Sequence, residues 1–428
     1  MIRHTAIPVY FGIRILSALV LLKLSTQFLT VGAFANFTQF LAFSSLLNMM
    51  VVGGAQNGLI RQAAAAKDRE VGEVMGAGLA ISAMAVPVLG IPALLWNSMI
   101  SQVLTGSPSY GGVVIAITVL ALCSGPGQVC WSLLSGRKRV VQSLGAQAIG
   151  LIAGTAASAM FITRGSFVAA AIAFAAGPVL GTLVALPFVA QHGVRWRPTT
   201  RGLVPLFGYS AATSATLGFT ALVLFGLRSF YRSHFGSAEL GYWLAANRIS
   251  DMSTQFLGLL MLQAFVPHLA AVEDAGERTR LTVRYAALAA GLAGAALLVF
   301  TIAGKPLVHL FLSDAYAPAI PAIRLYMVGD FLRVWGSLAM FAAFAAGKPG
   351  RYAAIEIATM TVMAGLSVVL IGSGEVRAPQ IAYAVAWGLT AAVLAFRLAL
   401  RFAPWRRGQS RQHVERRISL PDIAPRLR

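Results

Sequence analysis

Arg248, Asp251 and Gln255 follow one another at spacings of three and four residues inside an apolar stretch, with Asn247 beside them. On an α-helix that spacing stacks the three side chains along one face. A guanidinium and a carboxylate so placed can hold a phosphate, pass a proton or neutralise each other. Asp330 and Arg333 repeat the three-residue spacing in a second apolar stretch, where mutual neutralisation is the strong alternative. Arg14 and Lys23 interrupt a third, and Arg324 and Glu356 lie close to the ends of two others. A charge inside a span costs at least about 2.5 kcal/mol, so those that persist face a cavity or a partner. Five cations against three anions leave the interior net positive, which favours an anionic ligand.

Other groups offer less. Asn36, Gln39 and Asn48 lie on the second apolar stretch, with Gln56 and Asn57 around Gly53 and Gly54. Such groups can bind sugar hydroxyls or bond across helices. Cys123 and Cys130 share one apolar segment and form no disulfide framework or thiolate cage, and the six His residues are scattered. There is no GxxxxGK[ST] loop, no HExxH and no Cys/His set with metal spacing, so no ATP, cofactor, catalytic residue or metal is expected.

The elements that must position these groups are membrane helices. Of 428 residues, 57% are hydrophobic and 11% charged, with a mean hydropathy of +0.74. A helix crosses a bilayer with roughly 20 apolar residues. Apolar runs at about 7–27, 36–60, 74–97, 112–135, 140–162, 167–190, 204–227, 240–269, 283–303, 319–346, 352–372 and 379–401 predict twelve spans. They leave no room for a large soluble catalytic domain. The net charge of +20 lies mainly between the spans, which argues against a nucleic-acid partner. With both termini in the cytoplasm, 24 basic residues fall inside and five outside, Arg228 and Arg232 among the outer ones, as the positive-inside rule demands.

The two halves match at an offset near 210 residues. Gly32 to Asn36 has a counterpart in Gly241 to Asn247, and Arg137 to Arg139 in Lys348 to Arg351. This predicts an all-α protein of two six-helix bundles, residues 1–202 and 203–402, around a central cavity, as in alternating-access transporters. Gly125-Pro126-Gly127 and Gly177-Pro178 predict kinks, and Gly177 with Gly181 a close-packing face. Residues 403–428 read as a basic cytoplasmic tail, either touching anionic lipid headgroups or simply enforcing topology.

Four features together resemble the Wzx-type flippases of the multidrug/oligosaccharidyl-lipid/polysaccharide exporter superfamily, especially those for O-antigen or enterobacterial common antigen. They are Phe34 to Gln39, the Arg14 and Lys23 pair nine residues apart, Ser250-Asp251, and Tyr326 to Val334. The resemblance covers about residues 1–400. It implies a MATE-like, V-shaped pair of bundles in the bacterial inner membrane that carries an undecaprenyl-diphosphate-linked oligosaccharide from the cytoplasmic to the periplasmic leaflet for surface polysaccharide or exopolysaccharide synthesis. It also implies that Arg14, Lys23 and Arg248 help hold the diphosphate. Arg14 departs from the family, which carries Lys there. Asp251 or Asp330 could couple the movement to H+ or Na+. Three alternatives stay open: a multidrug/cation antiporter of the same superfamily, a lipid II flippase, and a membrane oligosaccharide polymerase or ligase. The last would need catalytic groups on a sizeable outer loop, where only Glu239, Asp314 and Glu375 stand isolated.

Overall fold

A computed structural model describes residues 2–52, 54–67, 70–190, 200–261, 265, 268–269, 272, 274–345 and 349–396. The basic tail lies outside the described residues. Fifteen helices are labelled here. The first half contains α1 (Ile2–Phe28), α2 (Val31–Met50), α3 (Gln56–Ala65), α4 (Val71–Leu95), α5 (Asn97–Thr105), α6 (Gly111–Gly136), α7 (Val140–Thr163) and α8 (Phe167–Ala190). A continuous stretch Thr200–Leu260 follows, broken at Gly236 into α9 (200–235) and α10 (237–260). Then come α11 (Ala275–Ile302), α12 (Gly304–Phe311), α13 (Ile320–Ala345), α14 (Pro349–Gly372) and α15 (Ala378–Phe396). Among the described residues there is no strand.

Among the described residues, eight helices are long and apolar enough to cross a membrane: α1, α4, α6, α7, α8, α11, α14 and α15. This is a multi-pass membrane protein. Helices α2, α9, α10 and α13 carry most of the interior polar residues discussed below. The expected spans at 112–135, 140–162 and 167–190 coincide with α6, α7 and α8 to within a residue. Two expectations needed revision. The second apolar run is not one helix to residue 60, because the chain leaves α2 at Val51 and restarts as α3 at Gln56, past Gly54 at φ 68°. The seventh span does not end at 227 either; it continues to 235 and places Arg228 and Arg232 within the helix.

Large apolar side chains stand exposed on the outer faces of many helices, including Leu16, Leu183, Leu222, Leu298, Ile302 and Val369. In a bilayer those faces meet lipid. The main core gathers Phe34, Phe37 and Phe40 of α2 with Trp243 and Leu244 of α10 and Tyr316, which precedes α13. It therefore joins the two halves. A second cluster in the other half packs Met261, Phe265 and Leu269 against Ala289 and Ala293 of α11 and Val334 and Leu338 of α13.

The small-residue face of α8 works by packing, as expected. A Cβ built on Gly150 of α7 would lie 2.5 Å from the Gly177 carbonyl oxygen and 2.9 Å from the Gly181 nitrogen. Those are backbone atoms and cannot swing aside. Gly150→Val is expected to destabilise the folded protein by about 1–3 kcal/mol, the usual cost of overpacking. Thermal unfolding in detergent tests this, and an unchanged midpoint would contradict the close α7–α8 approach.

Candidate functional site

The helix break at Gly236, with φ 85° and ψ 175°, reverses the chain so that α9 and α10 lie side by side. Only glycine adopts that backbone conformation without strain. The turn sets Arg228 of α9 near Asn247, Arg248 and Asp251 of α10, while Arg232, one helical turn nearer Gly236, meets Asn36 and Leu104 instead. Helix α13 contributes Asp330 and Arg333, and α15 contributes Tyr383 and Trp387.

Asp330 is almost fully buried, with 3% exposure. Its Oδ1 accepts hydrogen bonds from Ser250 Oγ at 2.8 Å and Tyr383 Oη at 2.7 Å. Arg333 Nη1 donates to the same phenol oxygen at 3.3 Å, and its guanidinium lies 4.9 Å from the Trp387 ring centroid. The expected Asp330–Arg333 pair is therefore joined through Tyr383, with no direct ion pair among the described residues. Gly329 makes room for the phenol, since a Cβ there would come within 2.3 Å of the Tyr383 ring. Asp330 Oδ2 has no hydrogen-bond partner among the described residues. A cavity borders this carboxyl, lined also by Thr254, Gly258, Arg333, Ser337 and Trp387.

Beside this network, Asp251 sits in the fields of Arg248, Arg228 and Arg333, with the Asn247 amide within hydrogen-bonding reach. Asn247 Oδ1 accepts from Arg228 Nη2 at 3.4 Å, and Arg228 Nη1 reaches across to Gln39 Oε1 of α2 at 3.1 Å. Arg248 has no hydrogen-bond partner among the described residues; its electrostatic partner is Asp251. Gln255, one turn beyond Asp251, is exposed. Asn247, Arg248, Asp251 and Gln255 thus lie on one helix, and Gln39 of the other half meets Arg228 beside them.

The remaining first-half residues lie elsewhere. Arg14 is exposed on α1. Lys23 Nζ donates to the carbonyl oxygens of His309 at 2.6 Å and Leu312 at 2.5 Å, at the C-terminus of α12. Cations are favoured there by the unpaired carbonyls and the helix dipole. Asn36 Oδ1 accepts from Arg232 Nη2 at 2.8 Å. Asn48 belongs to a network inside the first half: its Oδ1 accepts from Ser124 Oγ at 2.7 Å and its carbonyl from Gln128 Nε2 at 2.6 Å, while Gln56 donates to Gln128.

Arg228 and Arg232, which the sequence reading sets on the outer side near the outer mouth, lie inside α9 and are candidate binding residues that it did not choose. They are only 8% and 9% exposed. The signal available was their four-residue spacing with Phe225, Leu227, Phe230 and Tyr231 around them, which is a helical pattern. Near the loops, Asp314 accepts from or pairs with His309 Nδ1 at 2.8 Å, and Glu375 pairs with Arg377 Nε at 3.2 Å. Hydrogen bonds from the Arg377 backbone and guanidinium hold the Glu375 carboxyl below its usual range. Of the three isolated acidic groups Glu239, Asp314 and Glu375, the last two are thus engaged locally.

The overall arrangement is shared with solved transporters. An inward-facing multidrug resistance MATE family transporter of the MOP superfamily is 14% identical, with 91% of this chain and 96% of that chain covered and a TM-score of 0.76. The lipid II flippase MurJ in an inward closed conformation is 12% identical, with 93% and 87% covered and a TM-score of 0.73. An outward-facing multidrug resistance MATE family transporter is 14% identical, with 93% and 94% covered and a TM-score of 0.62. These likenesses show a MATE-like fold. No curated protein sequence matches the chain. A family model described as polysaccharide biosynthesis protein (Polysacc_synt_3) matches residues 25–321, well over half of the sequence, and the chain belongs to that family.

Proposed function

We propose that the protein is a flippase that carries an undecaprenyl-diphosphate-linked oligosaccharide from the cytoplasmic to the periplasmic leaflet of the bacterial inner membrane. The observation that carries this reading is Arg248, a guanidinium on an interior helix with no hydrogen-bond partner among the described residues. It stands in a site where Arg228, Arg248 and Arg333 outnumber Asp251 and Asp330. Arginine binds phosphate oxygens through paired N–H donors, which suits a diphosphate. The description of the matched family, polysaccharide biosynthesis protein, is compatible with such a carrier step.

In this account residues 1–202 and 203–402 form two six-helix lobes, the termini are cytoplasmic, and the headgroup enters between the lobes while the prenyl tail stays in lipid. Arg248, Gln255, Asn247 and Gln39 are the first candidates for headgroup contact, with Arg14 at the entrance. Asn36, Lys23 and Asn48 reach the substrate only if their present hydrogen bonds open. Asp330, with one carboxylate oxygen unpartnered among the described residues and beside a cavity, is the candidate for H+ or Na+ coupling; Arg333 offsets its charge, and Asp251 is the second carboxylate of the coupling group.

Purified protein in proteoliposomes is expected to move an undecaprenyl-diphosphate oligosaccharide across the bilayer faster than protein-free vesicles do. Equal rates with correctly inserted protein would remove the proposal.

A further inference from the structure

At the end of the bundle remote from residue 2, the two halves are joined by six side-chain hydrogen bonds: two from Lys23, one from Ser313 Oγ to the Thr26 carbonyl at 2.7 Å, one from Arg228 and two from Arg232. Two of these contacts mirror each other. Lys23, near the end of α1, donates to the C-terminal carbonyls of α12. Arg232, near the end of α9, donates through Nη1 to the Leu104 carbonyl at 2.9 Å, at the C-terminus of α5. Each half thus sends a cation to the last turn of a short helix in the other. The pairs lie near the 210-residue offset seen in the sequence, since Lys23 corresponds to Arg232 and Leu104 to Leu312. Gly106, at φ 74°, ends α5 and leaves space for the Arg232 side chain, because a Cβ there would lie 3.0 Å from Arg232 Cδ.

Arg228 and Arg232 differ from Lys23 in being buried. Their acceptors are neutral: the Gln39, Asn36 and Asn247 amides and the Leu104 carbonyl. Neither forms an ion pair among the described residues, and each leaves Nε buried without a partner. A buried guanidinium is stabilised far better by anionic oxygens than by amide and carbonyl oxygens. One helical turn apart, the two present their donors on one face. All but one of their four acceptors belong to the first half, so a ligand that takes over these donors also releases the halves from each other.

We propose that Arg228 and Arg232 form a latent site for a phosphate or diphosphate group, occupied here by neutral oxygens of the opposite half, and that an arriving anion opens this end by displacing them. The inference rests on the flippase reading for the identity of its natural ligand, but not for the existence of the site. It makes opening conditional on a bound headgroup: the empty protein stays closed at this end, and the headgroup receives the arginines that the halves release.

The test is a distance measurement between spin labels on Gln102→Cys and Ser373→Cys, exposed positions of the two halves, with Cys123 and Cys130 replaced by Ala, in lipid nanodiscs. Undecaprenyl diphosphate and inorganic pyrophosphate are the probes, with undecaprenol as the neutral control. Either anion is expected to lengthen the distance by roughly one helical turn, about 5 Å, or more, and undecaprenol to leave it unchanged. The response should vanish in Arg228→Gln/Arg232→Gln and persist at higher probe concentration in Arg228→Lys/Arg232→Lys, which keeps both charges. No lengthening with either anion in the wild type, or an undiminished response in the Gln pair, overturns the inference. A response to pyrophosphate without one to the lipid upholds the site and counts against the lipid-linked substrate.

Discussion

Arg248→Ala is expected to slow transbilayer movement of the diphosphate-linked oligosaccharide by roughly 10- to 100-fold. Hydrogen bonds to charged groups contribute about 1.5–3 kcal/mol, and each 1.4 kcal/mol is about tenfold. The protein should remain folded, because Arg248 has no hydrogen bond among the described residues to lose. Its removal does leave Asp251 with less positive charge nearby, although Arg228 and Arg333 still act on that carboxylate. Arg248→Lys should recover part of the rate, since it restores the charge without the paired donors. Undiminished movement in correctly inserted Arg248→Ala protein would show that the headgroup binds elsewhere.

The second large effect belongs to Asp330. A charge moving through a potential of about 100 mV releases about 2.3 kcal/mol, enough for up to roughly a 50-fold asymmetry of substrate. Asp330→Asn retains an oxygen able to accept from Ser250 and Tyr383, and loses the charge that a proton or sodium ion would meet at Oδ2. The variant is expected to equilibrate substrate without responding to an imposed H+ or Na+ gradient. A gradient response equal to wild type would exclude Asp330 as the coupling group, and the absence of any response in the wild type would remove coupling altogether.

How much of this could be read in the sequence follows from the range of each interaction. A charged residue inside an apolar run is conspicuous, so Arg248, Asp251, Asp330 and Arg333 stood out, and local spacing placed the first two with Asn247 and Gln255 correctly on one helix. Tertiary partners are another matter. That Tyr383 stands between Asp330 and Arg333 depends on α15 lying against Gly329, more than 50 residues away in sequence. Lys23 looked like a cavity cation, yet its ammonium meets carbonyls 286 and 289 residues distant. Two cations mark an end of the seventh apolar run at residue 227, yet acceptors from α2 and α5 allow the helix to continue through Arg228 and Arg232. The short helices α5 and α12 were missed entirely, since a one- or two-turn amphipathic segment has neither the length nor the apolarity of a span. The weak internal offset proved informative where it was least expected, in the mirrored contacts of Lys23 and Arg232.

The most direct test of the central claim sets two substrates against each other in the same proteoliposomes: an undecaprenyl-diphosphate-linked oligosaccharide and a cationic drug of the kind a multidrug antiporter exports. A net-positive interior predicts that the lipid moves, that the drug does not, and that Arg248→Ala abolishes most of the movement. Movement of the drug without the lipid would contradict the account and reduce the interior arginines to structural elements of a drug transporter.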